Sequence, residues 1–245
     1  MNSSEQDFFD NLRQSIQSGR TAGEISLPPS QYKETYPPAA LLQKISHRSP
    51  EQQRQLMAEF QENSAPLNLQ TWTADSLETA SDIVVELIRS REPEFSHNKH
   101  VMLHDHPDLA AMKLWKRLNR EAVTIHTSFH PDKQIREKTI SSYIGITVPE
   151  IGIAESATVV EVRQQGQPRS TSLVPSIHIA VIRRQRLVAT LAEAYALLKK
   201  KTVPGDVIFI SGPSKTADIE AQLVHGAHGP KEMHVIIISQ ENEQS

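Results

Sequence analysis

The chain has no cysteine among its 245 residues. Disulfides, thiolate nucleophiles and thiolate metal ligands are therefore excluded, and this chain cannot hold an iron–sulfur cluster on four Cys ligands. Aromatic residues are scarce at 5%. No apolar run approaches the roughly 20 residues of a membrane span. The start, Met1-Asn-Ser-Ser-Glu-Gln-Asp, lacks the basic stretch and apolar stretch of a secretory leader. Excess charge of one sign is lacking too: 26 Lys and Arg stand against 29 Asp and Glu, a net charge of −3. A nucleic-acid surface wants a basic face, so nucleic acid is not an expected partner. There is no Gly-x-Gly-x-x-Gly dinucleotide fingerprint. These absences describe a soluble cytoplasmic protein with no cofactor expected.

What is present is an α/β pattern. Hydrophobic residues make up 38% of the chain, enough for a sizeable core. Residues 1–40 read as a peripheral segment, in which Phe8, Phe9, Leu12 and Ile16 fall at the spacing of one short amphipathic helix. Pro28-Pro29 and Pro37-Pro38 break the chain as a connector does. Residues 41–239 read as a single domain, and the polar tail 240–245 as frayed. Helices are expected over Pro50 to Asn63, from Asp75 or Ser76 through Ile88, from Pro107 to Leu118, over Lys133 to Ile140 and from Arg186 to Lys200. Strands are expected over Leu67 to Thr73, His100 to Leu103, Ala122 to Ile125, Ala157 to Val162, Ile177 to Ile182, Val207 to Ser211 and Met233 to Ser239. Alternating strands and helices argue for a mostly parallel sheet. The turn of Gln, Gly166 and Pro168 leaves no room for a helix, so an antiparallel or mixed insertion is expected there.

The densest chemistry lies after the strand Val207-Ile-Phe-Ile-Ser211. Gly212-Pro213-Ser214 leads to an expected helix start at Lys215, with the next strand at Met233, a βαβ unit. Such a junction aims backbone N–H groups and a helix dipole at one spot, which suits an anion. A nucleotide P-loop fails here, because Ser214 stands where that motif needs Gly before Lys215. Gly212, Ser214, Lys215 and Thr216 are the candidate anion or ligand site. On a helix, Ser214, Asp218 and His225 would share a stripe, making Asp218 and His225 acid–base candidates. The same residues also suit plain helix capping.

Other candidates carry competing readings. Glu155, among small residues, can be a nucleophile or base, or simply hydrogen-bond a loop. His225 and His228, with His178 or Glu155 as a third ligand, do not define a coordination geometry, so no metal site is assigned. Asp105 reads as a helix N-cap between two solvated residues, His104 and His106. His178, between Ile177 and Ile179, reads as a satisfied core residue.

Ser211-Gly-Pro-Ser-Lys-Thr-Ala-Asp-Ile-Glu220 and Val224-His-Gly-Ala-His-Gly-Pro-Lys-Glu-Met-His-Val-Ile236 together resemble the C-terminal signature of the LUD (lactate utilisation) domain family, and within it the type-C members. Gly145-Ile146-Thr147 through Ile153-Ala154-Glu155 resembles the family's second block, and Leu173-Val-Pro-Ser-Ile-His178-Ile-Ala-Val181 its third. The resemblance covers residues 67–238. One departure is Ser156-Ala157-Thr158, where the family usually has Thr-Gly-Thr. The resemblance implies a ribose-phosphate isomerase/CoA-transferase-like, Rossmann-like α/β fold. It also implies an accessory, non-redox part in oxidation of L-lactate to pyruvate, beside iron–sulfur partner proteins. The alternative is a stand-alone enzyme or ligand-binding protein for a small phosphate, carboxylate or CoA ester.

Overall fold

A computed structural model describes residues 38–94, 97–128, 133–200, 206–217, 223–225 and 229–239. The expected helix near Phe8 and the tail from residue 240 lie outside the described residues. Helix α1 (Pro38–Ser46) leads into α2 (Pro50–Ser64), which starts where Ser49 and Gln52 form a reciprocal capping box and Pro50 supplies the preset φ of the first turn. After β1 (Gln70–Ala74), Ser76 caps α3 (Leu77–Ser90), which buries Ala80, Val84, Leu87 and Ile88 as the periodicity requires. Next come β2 (Lys99–Leu103), α4 (Pro107–Ala111) and α5 (Leu114–Arg117). The expected continuous helix over this last stretch is broken, because Lys113 takes a left-handed conformation at φ 51°. The cap of α4 is the His106 side chain, which accepts from the Asp108 N–H, and not Asp105.

The chain continues through β3 (Val123–Thr127), α6 (Ile135–Ser141), β4 (Ile144–Thr147), β5 (Ile151–Ile153) and β6 (Thr158–Val162). A one-turn helix, α7 (Ser170–Leu173), then fits where no helix was expected, ahead of β7 (Ile177–Arg183). The expected helix from Arg186 is instead β8 (Leu187–Val188) followed by α8 (Leu191–Lys200). Leu187 and Val188 pair with Gly152 and Ile153, and sheet pairing there overrides helical spacing. Strand β9 (Val207–Ile210) precedes a hairpin of β10 (Lys215–Ala217) and β11 (Leu223–His225), and β12 (Glu232–Ile238) closes the described chain.

Six strands form a wholly parallel sheet in the order β1-β12-β7-β4-β2-β3. Its central strands β7 and β12 are nearly continuous apolar runs, as strands buried on both faces must be. A second sheet, β8-β5-β6-β9, is mixed. The architecture is thus α/β: a parallel sheet flanked by helices, with a mixed sheet packed against it. One face of the parallel sheet meets α3 and the α4–α5 region through Val84, Ile88, Leu109, Ile179 and Ile236. The other face meets β6 and α2 through Phe60, Val159, Ile182, Val235 and Ile237. The outer face of the mixed sheet packs Ile153 and Val160 on Ala194 and Leu198 of α8. Tyr195 and Leu191 lie on the exposed side of α8 instead of its buried stripe.

The expected βαβ unit after Val207 is corrected. Strand β9 pairs antiparallel with β6 in the mixed sheet, whereas β12 lies in the parallel sheet, so the two are not neighbours. Lys215 opens a strand, not a helix. Gly212 at φ 91° turns the chain, which then folds back as a hairpin.

Candidate functional site

The segment at Gly212 is built by close contacts on both sides. A Cβ on Gly212 would sit 3.1 Å from the Leu67 carbonyl oxygen, and one on Gly229 would sit 3.3 Å from the Ser214 Cβ. The Ser214 N–H donates to the Pro230 carbonyl at 2.8 Å. That amide is therefore occupied, and with Lys215 in a strand the helix dipole expected at this spot is missing. What remains is a set of hydroxyls. Ser156 Oγ lies 2.8 Å from Thr158 Oγ1, which lies 2.6 Å from Ser211 Oγ. Ser156, Ser211 and Lys215 are exposed, and Ser214 is half-buried. Hydroxyls both donate and accept, so a linked string whose two ends, Ser156 and Ser211, reach the surface suits a small oxyanion.

The other candidate residues separate. In the hairpin register Lys215 is opposite His225 and Thr216 is opposite Val224, so Lys215 and His225 are strand partners and not successive turns of a helix. Asp218 lies outside the described residues, as does His228. Glu155 accepts a hydrogen bond from the Leu191 N–H at 2.7 Å, at the start of α8. This is the hydrogen bond of its second reading, and the carboxylate is otherwise exposed. Ala157 sits in a left-handed conformation at φ 44° and is fully buried. That backbone explains why glycine suits this position, and the Ala methyl is accommodated with some strain.

A second polar group lies between the two sheets, and the sequence reading missed its centre, Glu161. This carboxylate projects from the inner face of β6 and is 5% exposed. Its Oε2 accepts from Ser172 Oγ at 2.7 Å, and its Oε1 is 3.4 Å from His178 Nε2. His178 Nε2 also meets Thr147 Oγ1 at 2.8 Å. His104 is buried nearby instead of solvated, with Nε2 3.4 Å from the Pro168 carbonyl. Burial pushes the Glu161 carboxyl up, but the adjacent His178 ring, the His104 charge and Thr147 together outweigh it and hold it well below the carboxylate range. Burial lowers His104 to about 4, against the pull of Glu161.

Gly145 brings this group together. A Cβ there would fall 1.7 Å from the Thr171 carbonyl oxygen, so only glycine lets α7 approach β4 and deliver Ser172 to Glu161. His104 Nδ1, His178 Nδ1, Glu161 Oε1 and Thr171 Oγ1 have no hydrogen-bond partner among the described residues. With His178 fully enclosed, the group ties β4, β6, β7 and α7 together through Thr147, Glu161, His178 and Ser172. Glu161, Ser172 and His178 are all buried among the described residues. The one signal for this group in sequence is a charged residue inside the apolar strand Thr158-Val-Val-Glu-Val162. Among the described residues, no group of three His, Asp or Glu is arranged to hold a metal ion.

Comparison with known proteins follows the same residues. The LUD domain model matches residues 57–238. The chain is similar to lactate utilization protein C of Halalkalibacterium halodurans, at 36% identity over 67% of this chain and 70% of that protein. It is similar to the protein of that name from Shouchella clausii, at 33% over 66% and 69%. Identity to the Bacillus licheniformis protein is 41%, over 39% of this chain and 42% of that protein. The matched stretch thus spans less than half the length of the Bacillus licheniformis and Bacillus velezensis relatives, 42% and 45%. A crystal structure of a DUF162 family protein from Deinococcus radiodurans superposes with a TM-score of 0.49 at 16% identity, covering 76% of this chain and 98% of that one.

Proposed function

This chain belongs to the LUD domain family, and from that membership we propose that it serves lactate utilisation. Its part is non-redox, beside iron–sulfur proteins that oxidise L-lactate to pyruvate. The observation that carries the reading is the match to relatives named lactate utilization protein C over about two thirds of both chains. The sequence supports the division of labour. Lactate oxidation removes two electrons, and a chain without Cys or a dinucleotide fingerprint leaves them to a partner's redox groups. A second reading, binding of a small phosphate, carboxylate or CoA ester, is favoured by the hydroxyl string of Ser156, Thr158 and Ser211, with Lys215 exposed four residues further along the chain.

One experiment addresses both. Deleting the gene should impair growth on L-lactate and spare growth on pyruvate. Complementation with the natural chain should restore growth, and Lys215→Ala should restore less of it at equal protein level. Unimpaired growth of the deletion strain on L-lactate would remove the pathway reading. Full rescue by Lys215→Ala would remove the anion site while leaving the pathway intact.

A further inference from the structure

A cleft of about 360 Å³ opens between β1 and α3 at the N-terminal end of the parallel sheet, lined by residues that include Gln70, Trp72, Ile83, Glu86, Leu87 and Arg91. It lies across the sheet from the hydroxyl string, on the face that α3 covers. Trp72 is 38% exposed, yet its ring is held from behind. The indole N–H donates to His234 Nδ1 at 3.1 Å. Since indole only donates, His234 Nδ1 must accept, which places the imidazole proton on Nε2. That nitrogen donates to Glu232 Oε1 at 2.7 Å, and Glu232 is gripped by Arg91 at 2.8 Å and 2.6 Å. Four side chains in series thus fix the plane of one indole at the cleft wall. Tight positioning of an aromatic face is costly to build and useful when something stacks on it.

The charges select what that is. Arg91 is committed to Glu232, and Asp82, also in the lining, is committed to Arg117. Glu86 lies one turn beyond Asp82 and forms no ion pair with another described residue. Glu86 interacts at longer range with Arg89, which is itself ion-paired to Glu121, so the lining keeps one carboxylate not held in an ion pair among the described residues, in the same cleft as an exposed indole and an apolar wall of Ile83 and Leu87. An indole face and a carboxylate both attract a cation, and the wall takes an apolar body. We propose that the cleft between β1 and α3 binds a small organic cation, an ammonium group carried on an aromatic or aliphatic body, with Trp72 and Glu86 as its recognition residues. The site is independent of the lactate reading and of the hydroxyl string.

The test is calorimetric titration of the full chain with 2-phenylethylammonium, neutral 2-phenylethanol and anionic 3-phenylpropionate. The ammonium should bind at least about fivefold more tightly than the alcohol, and the carboxylate should bind least. Glu86→Gln should remove most of the preference for charge, and being an exposed substitution it leaves the fold intact. Trp72→Leu should weaken the ammonium by about fivefold or more, while Trp72→Phe keeps part of the affinity. Glu59→Gln, on another helix, should change nothing. Equal affinity for the ammonium and the alcohol overturns the proposal, as does undiminished binding by Glu86→Gln. No heat from the ammonium up to about 10 mM overturns it as well.

Discussion

His104 shows how much a single residue's surroundings decide. By sequence it belongs to a polar turn, His104-Asp-His-Pro107. In the fold its N–H donates to the Ile146 carbonyl at 3.0 Å, which draws the side chain into the space between the sheets. There burial lowers its pKa from 6.5 to about 4. The unfolded chain takes up a proton as pH drops below 6.5, whereas the native chain refuses it until about pH 4. The stabilisation is therefore complete above 6.5 and lost progressively down to 4. His106 and His234 are also lowered by burial and act in the same direction. Between pH 7 and pH 5 His104 alone should account for about 2 kcal/mol of lost stability. Urea denaturation at the two pH values measures this, and His104→Gln should flatten the difference by roughly that amount. An equally steep pH dependence in His104→Gln would show that other groups carry it.

Helices α1, α2 and α8 illustrate the scale above. Arg48, in the turn between α1 and α2, reaches both carboxylate oxygens of Glu193 in α8 at 2.9 Å and 2.8 Å. Their side chains are 5% and 1% exposed. The Ala189 N–H completes the carboxylate at 2.7 Å, so the charge is fully solvated by protein groups. Such a pair costs much to bury and still more to break. Arg48→Ala should lose about 3 kcal/mol, because the enclosed Glu193 carboxylate keeps only the largely exposed Lys44, at 3.4 Å, as counter-charge. Replacing both, as Arg48→Met with Glu193→Leu, should cost clearly less. Chemical denaturation of the single and double variants decides it; a double variant as weak as the single would mean the loss comes from packing. The hairpin β10–β11 is the opposite case, an element set by backbone pairing, where the expected helix start at Lys215 is a strand instead.

For the whole molecule, the notable property is that two sheets share one buried layer. The parallel sheet supplies an apolar middle in Ile179–Ile182 of β7 and Val235–Ile238 of β12. The mixed sheet supplies Glu161, and the α7 turn supplies Ser172, to a polar seam with His178 and Thr147. The outer surface carries two separate features, the hydroxyl string and the Trp72 cleft. A partner in lactate utilisation would meet this surface. If the proposed role is right, tagged protein purified from cells growing on L-lactate should carry an iron–sulfur protein, read as iron and acid-labile sulfide in the eluate. Protein from such cells that elutes without iron under gentle, low-salt conditions would count against a stable complex.

Much of this architecture follows from the sequence alone. Apolar runs such as Ile177–Ile182 and Val235–Ile238 could only be buried strands. Ser49 with Gln52, and Ser76, fixed the starts of two helices through local hydrogen bonds, which need no distant partner. The family blocks at Gly145, His178 and Gly212 were legible because each is a short run of unusual residue types. The lack of Cys excluded disulfides and clusters held on Cys ligands in this chain before any fold was known. The tertiary structure decided what depends on distant pairing. It sent β9 and β12 to different sheets, because strand partners are chosen by contacts that periodicity does not encode. It turned Lys215 into a strand, closed the Ser214 amide with Pro230, and gave Glu155 to the start of α8. It drew Glu161, His178 and His104 from separate stretches of chain into one enclosed group, because a buried charge is tolerated only where other elements bring partners to it.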